Sequence, residues 1–297
     1  MQVTGINSYT YSNKNYKPSF KGWTRSVYPT MKYAGIEVPM LGGLPIYRNN
    51  TWFFRNKNAI PKIIDGVVRI NNDTSHVNTR IYGCSNGSEP YSMYMYLVSK
   101  YNQDVVSKFL PFKAFDIDEY AIAIAKEGEI PVDYEEFFLI QMYTHNKFNE
   151  FFDGRKHGIP DGFINLFEHH DELKIFDKNS YPDQNTLETG CRFRLNKEHT
   201  KNIEYSVANI VKDCENIEQE RTFLSASNML PYLEDNDILK LFKTLGKRLP
   251  QNSCIALSGY DFHPFLDRNY SFDLMSVIED NGFSNNLTGS EFLFKKL

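Results

Sequence analysis

The run Thr79-Arg-Ile-Tyr-Gly-Cys-Ser-Asn-Gly-Ser-Glu-Pro-Tyr91 decides the fold. Thr79-Arg-Ile-Tyr-Gly-Cys84 reads as a short strand and Ser85-Asn-Gly-Ser88 as a turn. A helix follows, with Pro90 in its first turn and Tyr91, Met95 and Val98 on one face. The alternation then repeats. Phe112-Lys-Ala-Phe-Asp116 is a second strand, and residues 119–126 form an Ala/Ile-rich helix ended by Gly128. Strand, helix, strand, helix is the pattern of a parallel sheet with right-handed crossovers. It resumes with strands at 203–207 and 222–226, a helix at 235–248, a strand at 253–257, a helix at 272–280 and a last strand at 291–294.

The flanks read differently. Residues 1–48 are rich in Asn, Ser, Tyr, Gly and Pro and show no sustained helical or strand period, the texture of a loose extension. From Thr51 the texture changes, and Trp52-Phe-Phe54 leads into Ile60, Ile63 and Ile64 at helical spacing. Residues 49–297 then form one domain. Its rhythm breaks at about residues 140–200, a stretch rich in Phe, His, Asp and Gly. That stretch closes on Gly190-Cys-Arg-Phe-Arg-Leu195, which alternates like an edge or hairpin strand and predicts a small inserted β-containing subdomain.

Composition excludes several classes. The 297 residues are 41% hydrophobic and 24% charged, ordinary for a globular chain. No apolar run approaches the roughly 20 residues a spanning helix needs, and no secretory leader is recognisable. Cys84, Cys191, Cys214 and Cys254 are scattered, which predicts neither a metal site nor a disulfide framework and suggests a reducing cytoplasm. Lys14, Lys17, Lys21, Arg25, Lys32 and Arg48 make the extension basic against Glu37 alone, whereas the chain as a whole carries −4. An acidic body argues against a nucleic-acid partner.

In an open parallel sheet, ligands bind beyond the carboxyl ends of the strands. Gly83 and Gly87 let a ligand approach the backbone there. Asp116, ending the next strand, can accept both ribose hydroxyls of a nucleoside. A dinucleotide also needs room for a pyrophosphate, usually supplied by G-x-G-x-x-G. Here the turn lacks the third glycine and places Glu89 at the helix start, where an anion repels pyrophosphate but tolerates a sulfonium and an amino group. The balance favours S-adenosylmethionine over NAD.

Five segments in order resemble the CheR-type protein-glutamate methyltransferases of bacterial chemotaxis. Asn49-Asn-Thr-Trp-Phe-Phe-Arg55 is similar to N-x-T-x-F-F-R, and Gly83-Cys-Ser-Asn-Gly-Ser-Glu-Pro-Tyr-Ser92 to G-C-S-x-G-E-E-P-Y-S. Ala114-Phe-Asp-Ile-Asp118 resembles A-T-D-I-D, Val207-Ala-Asn-Ile210 resembles V-x-N-L, and Ser227-Asn-Met-Leu-Pro-Tyr232 resembles R-N-V-x-I-Y. The resemblance implies an α/β, Rossmann-like class I methyltransferase fold with S-adenosyl-L-methionine as cofactor, S-adenosyl-L-homocysteine as product and no metal.

It also implies roles for residues. Asn49, Thr51 and Arg55 would line the cofactor and acceptor end, Gly83 and Glu89 the methionine part, and Asp116 the ribose. Asn209 and Ile210 would flank the adenine, and Asn228 and Met229 would close the pocket. Arg55 and Tyr232 would serve catalysis, the first orienting an acceptor carboxylate and the second standing beside the reacting methyl. The implied partner is a protein bearing that carboxylate. Departures from the family pattern are Ser88 for an acid, Ser227 for an arginine, and Gly259-Tyr-Asp261 for G-x-S-E. Residues 1–48 do not resemble the helical N-terminal domain usual in that family. Two rival readings stand beside this one: methyl transfer to a small molecule or another protein atom, and a cofactor-binding regulator with little turnover.

Overall fold

The computed structural model describes residues 30–33, 36–41, 44–45, 51, 53–55, 59–132, 134–153, 192–262, 270–286 and 288–297. Three short strands lie in the N-terminal stretch: β1 (Thr30–Tyr33), β2 (Ile36–Leu41) and β3 (Leu44–Pro45) pair antiparallel. The sequence reading as a loose extension did not anticipate them, although Ile36, Val38 and Met40 alternate with Glu37 and Pro39 in β2. Strand β2 lies against the helix Glu119–Glu127.

The main sheet begins with β4 (Asn78–Tyr82) and β5 (Phe112–Asp116). Between β5 and its next member, a second small sheet forms from β6 (Glu129–Pro131), β7 (Phe152–Asp153) and β8 (Arg192–Leu195), in the order β6-β8-β7. Strand β8 is therefore central rather than an edge. Its pairing continues to both neighbours at its C-terminal end: the Leu195 N–H donates to the Gly128 carbonyl at 2.9 Å and the Asn196 N–H to the Phe151 carbonyl at 2.8 Å. The remainder of the inserted segment, residues 154–191, and Asn49 lie outside the described residues.

The main sheet continues with β9 (Ile203–Val207), β10 (Thr222–Ser225), β11 (Cys254–Ala256), β12 (Phe283–Ser284) and β13 (Leu293–Lys296). Its seven strands run β12-β13-β11-β10-β4-β5-β9. Strands β4, β5, β9, β10 and β11 are parallel, and β13 is antiparallel to β11. This is the Rossmann-like methyltransferase fold expected from the sequence. The chain moves outward from β4 to β5 and β9, then returns to the other side of β4 as β10 and β11. The switch point lies between β4 and β10, where such sheets bind ligands.

Alternating side chains divide the core between the two faces. Ile81, Ala114 and Phe223 join one cluster with Ile60, Ile63, Ile64 and Val67 of the helix Ala59–Ile70. Tyr82, Phe115 and Leu224 join the other, with Ile238, Leu241, Phe242 and Leu245 of the helix Asp235–Arg248. That second helix carries Asp235 and Asp237 in its first turn and Lys247 and Arg248 in its last, each charge suited to the helix dipole.

The last strand falls two residues later than its residue pattern suggests. Ala256, Ile255 and Cys254 pair with Leu293, Phe294 and Lys295, so lysines occupy ladder positions. The Lys296 chain reaches outward, its Nζ donating to the Asn281 carbonyl at 2.9 Å and lying 5.2 Å from the Phe283 ring centroid. Polar side chains that find partners beyond the sheet conceal a strand from a hydrophobicity reading.

Gly66, inside the helix Ala59–Ile70, sets how closely that helix meets β13. A Cβ there would stand 2.6 Å from Leu293 Cδ2 and 2.6 Å from the Thr288 carbonyl oxygen. Alanine gains roughly 1 kcal/mol of helix propensity over glycine. Overpacking against a backbone oxygen outweighs it, so Gly66→Ala should lose about 1–3 kcal/mol, read as a lower midpoint in urea unfolding. An unchanged or higher midpoint would show that the helix shifts without cost.

Candidate functional site

The glycine turn leaves β4 with Gly83 at φ 70°, Ser85 at φ 53° and Gly87 at φ 95°. Gly87 caps the helix Ser88–Lys100, and a Cβ on it would come within 2.8 Å of the Tyr205 hydroxyl and 2.9 Å of the Tyr91 ring. Only glycine fits there, on conformational and steric grounds together. The Gly87 N–H donates to the Cys84 carbonyl at 2.9 Å, closing the turn. Ser88, where the family pattern has an acid, is fully buried, and its hydroxyl donates to Asn86 Oδ1 at 2.8 Å.

Asp116 faces this turn from the end of β5. Its Oδ2 accepts the Ser85 N–H at 2.8 Å and its Oδ1 accepts the Asp118 N–H at 2.9 Å. Burial raises its pKa, and these backbone donors oppose the rise. The carboxylate thus serves as tie and turn cap, and each oxygen retains acceptor capacity beyond the bond it makes. Across the switch point, the side chain of Met229 borders Gly83, with its Cγ 3.6 Å from where a Cβ would stand.

Glu89 enters from the first turn of the helix. It is buried, and the Ser225 hydroxyl at the end of β10 donates to its Oε1 at 2.8 Å. Burial pushes its pKa up to about 7, against the pull of the Ser225 bond, Arg55 and the Ser227 hydroxyl. Ser227, which replaces the family's arginine, therefore touches the same acid.

Arg55 reaches the site because the turn before it is anchored. Phe53 and Phe54 are fully buried. The Phe53 N–H donates to Glu136 Oε1 and the Phe54 N–H to Ser92 Oγ, each at 2.8 Å. The Phe54 ring lies 4.8 Å from that of Tyr143, and Phe53 meets Phe152 edge-on at 5.6 Å. Half-buried Thr51 lies four residues before Arg55. Burial lowers the Arg55 pKa, countered by its neighbours Glu89, Tyr232, Asp261 and Tyr260. Arg55, Ile60, Glu89, Met93, Ser227 and Asn228 line a space of about 10 Å³, on the order of one water.

Asp261 organises the far wall, a part the sequence reading missed. Its carboxylate accepts the N–H groups of Asn228 (2.9 Å), Leu230 (3.0 Å) and Ser258 (2.8 Å), and the Ser258 hydroxyl at 2.9 Å. Burial still pushes its pKa up to about 6. This clamp fixes Asn228 at φ 60° and holds the turn Leu230–Tyr232 against the helix Gly259–Phe262. Tyr232 and Tyr260 are thereby hydrogen-bonded to each other, both beside Arg55. The only signal in the sequence was the departure Gly259-Tyr-Asp261 itself.

The structure therefore brings together Arg55, Glu89, Asn228 and Tyr232, and separately Gly83, Asp116 and Met229. Asn209 and Ile210 stand apart, beyond β9. The Asn209 side chain caps the helix Ile210–Asp213 by accepting the Val211 N–H at 2.9 Å, and Ile210 shares an apolar cluster with Met229.

Residues 49–154 match the family model described as CheR methyltransferase, SAM binding domain. These findings support an S-adenosylmethionine-dependent methyltransferase. No curated protein matches the chain. Among solved structures, it is similar to a TehB-like SAM-dependent methyltransferase from Corynebacterium glutamicum, with 11% identity and a TM-score of 0.35, covering 77% of this chain and 84% of that one. It is also similar to magnesium protoporphyrin IX methyltransferase from Synechocystis with bound SAM, with 9% identity and a TM-score of 0.39, covering 82% and 80%. The N-methyltransferase NodS from Bradyrhizobium japonicum, in complex with S-adenosyl-L-homocysteine, gives 9% identity and a TM-score of 0.38, covering 85% and 91%. Values this low leave the strand order to carry the fold.

The residues of the site suit S-adenosylmethionine. A buried carboxylate at Asp116 matches vicinal hydroxyls, and an exposed, left-handed Gly83 gives backbone access. Glu89 and Arg55 together offer a carboxyl group and a guanidinium for the amino and carboxylate ends of an amino-acid tail. Among the described residues, no cluster of metal-ligating side chains forms and no helix is long and apolar enough to cross a membrane.

Two outcomes follow from the buried acids. Glu89 has a folded pKa of about 7 against an ordinary 4.5, so the folded state favours its neutral form. That penalty grows as pH rises from 4.5 through 7 and is complete above it, with Asp261 acting in the same direction. Glu89→Gln should raise the melting temperature at pH 8, by roughly 2–4 °C per kcal/mol regained, and leave it nearly unchanged at pH 4.5. Equal shifts at both pH values would show that ionisation of Glu89 is not the cause. Asp116→Asn should weaken S-adenosylhomocysteine binding about tenfold or more by calorimetry, through loss of charge-assisted bonds.

Proposed function

We propose that the protein transfers a methyl group from S-adenosylmethionine to a side-chain carboxylate of another protein, giving a methyl ester, as the CheR-type protein-glutamate methyltransferases do. The observation that carries this reading is Arg55, held by the anchored Phe53–Phe54 turn beside the Tyr232–Tyr260 pair. When bound, S-adenosylmethionine supplies an electrophilic methyl on a sulfonium. Asp116 accepts its ribose hydroxyls, Glu89 and Arg55 meet the methionine end, and Asn209, Ile210, Asn228 and Met229 enclose the nucleoside. Thr51, with Asn49, belongs to the acceptor end.

An acceptor carboxylate has a pKa of about 4 and is already a nucleophile at neutral pH, so no general base is required. The chain's task is to orient the carboxylate and strip water from it. A guanidinium can hold it through two parallel bonds, and the phenols of Tyr232 and Tyr260 add neutral donors that transfer no proton. The acidic body argues against a nucleic acid as the acceptor. This reading places the reaction in the cytoplasm, with a protein as partner.

Labelled cofactor incubated with cell extract tests the proposal. Base-labile label on protein is the expected result; label on small molecules, or binding without transfer, would replace this reading with one of the two rivals. With an acceptor in hand, Arg55→Ala should slow transfer more than Arg55→Lys, because an ammonium keeps the charge but not the fork. Tyr232→Phe should slow it about tenfold, a loss near 1.4 kcal/mol of transition-state stabilisation, with cofactor affinity kept. Transfer at the wild-type rate in Arg55→Ala and Tyr232→Phe would assign the acceptor to other residues.

A further inference from the structure

A buried polar network lies directly beneath the cofactor residues, on the sheet face opposite the Ala59–Ile70 helix. Arg80 and Tyr82 point to the same side of β4, two residues apart. The Tyr82 hydroxyl accepts Arg80 Nε–H at 3.0 Å and Nη2–H at 2.8 Å. Both Tyr82 and Arg80 also donate to Oδ2 of Asp213. Tyr82 faces its ladder partner Phe115, with the rings stacked at 4.8 Å and 19°, and the Arg80 guanidinium carbon lies 4.6 Å from the Phe115 centroid. Tyr82 is 2% exposed and Arg80 9%, while the Asp213 side chain at the rim of the network is 27% exposed.

The placement of these groups is what gives them meaning. Tyr82 immediately precedes Gly83, and Phe115 immediately precedes Asp116. Asp213 ends the short helix that begins at Ile210 and is capped by Asn209. The network thus joins the three chain segments that carry the glycine turn, the ribose carboxylate and the adenine-flanking pair. Tyr82 and Phe115 belong to an apolar cluster that also holds Ile210, Val211, Met229 and Leu230. An ion pair whose arginine is buried and whose acid is only partly exposed adds little stability over apolar residues of the same volume, because desolvation offsets most of the attraction. What apolar residues would not supply is direction. Hydrogen bonds specify where each segment ends relative to the others.

We propose that Arg80, Tyr82 and Asp213 are positioning residues for the adenosine half of the cofactor, holding Gly83, Asp116 and the Asn209–Ile210 turn at the spacing a nucleoside requires. None of the three needs to touch the cofactor. The inference rests on the S-adenosylmethionine reading of the site, and its test separates the two.

The full chain is titrated by calorimetry with S-adenosylhomocysteine and with adenosine, and its melting temperature is recorded alongside. Tyr82→Phe keeps the stacked ring but removes the oxygen that joins Arg80 to Asp213. It should weaken both ligands by roughly the same factor, about five- to tenfold, since both contain the nucleoside. A second variant combines Arg80→Met, Tyr82→Phe and Asp213→Leu, replacing the network with apolar groups of similar size. It should melt no lower than wild type and still bind both ligands more weakly, a combination that a purely structural role cannot produce. Wild-type affinities in both variants would overturn the positioning role while leaving the cofactor reading intact. Absence of S-adenosylhomocysteine binding in the wild type would overturn both. If the combined variant fails to fold, Tyr82→Phe decides alone.

Discussion

Strand β4 lies inside the main sheet between β10 and β5, with all five of its residues buried. The chain leaves it on one side toward β5 and β9 and returns on the other as β10 and β11. Two neighbouring parallel strands whose connections diverge to opposite sides must leave a crevice between their carboxyl ends. Gly83, Glu89, Ser225 and Asn228 all border that crevice because β4 and β10 end there. The Ser225–Glu89 contact crosses this reversal of strand order directly, because one residue ends β10 and the other opens the helix that follows β4.

The crevice holds more charge than a core would tolerate. Glu89, Asp116 and Asp261 are buried carboxyls with raised pKa values. Asp116 and Asp261 are compensated by backbone N–H donors from the turns they fasten. These two acids make the loops rigid and are satisfied by doing so. Glu89 is different: the hydroxyls of Ser225 and Ser227 and a half-buried arginine are its partners, and burial remains the dominant influence on it. A group left partly uncompensated in the unliganded protein can recover that cost when a cation arrives, which is how stability and binding come to be exchanged at functional sites.

Arg55 illustrates how an otherwise flexible charge is brought to bear. Its own segment is a turn, not a helix or strand, and carries a left-handed Phe54. The turn holds because both phenylalanines are anchored at once, by side chain in the aromatic cluster and by backbone N–H on Glu136 and Ser92. Glu136 belongs to the helix Tyr134–Tyr143, which follows the first small-sheet strand and packs against the helix Ser88–Lys100. The inserted region thus helps to place the residue proposed to hold the acceptor.

Much of this was legible in the residues. The strand–turn–helix of the glycine run, the second strand ending at Asp116 and the helix from Asp235 to Arg248 follow from local periodicity, turn chemistry and capping, which act over a few positions. The order of strands, the central place of β8, the late start of β13 and the Asp261 clamp did not follow. Those depend on pairings between groups far apart in the chain, such as Ser225 with Glu89, 136 residues away, and Arg80 with Asp213, 133 residues away. The sequence by itself determined which segments could bury a face and which could turn. Only the tertiary structure decided which buried acid meets which donor, because sheet order and packing set those distances and local propensity carries no information about them.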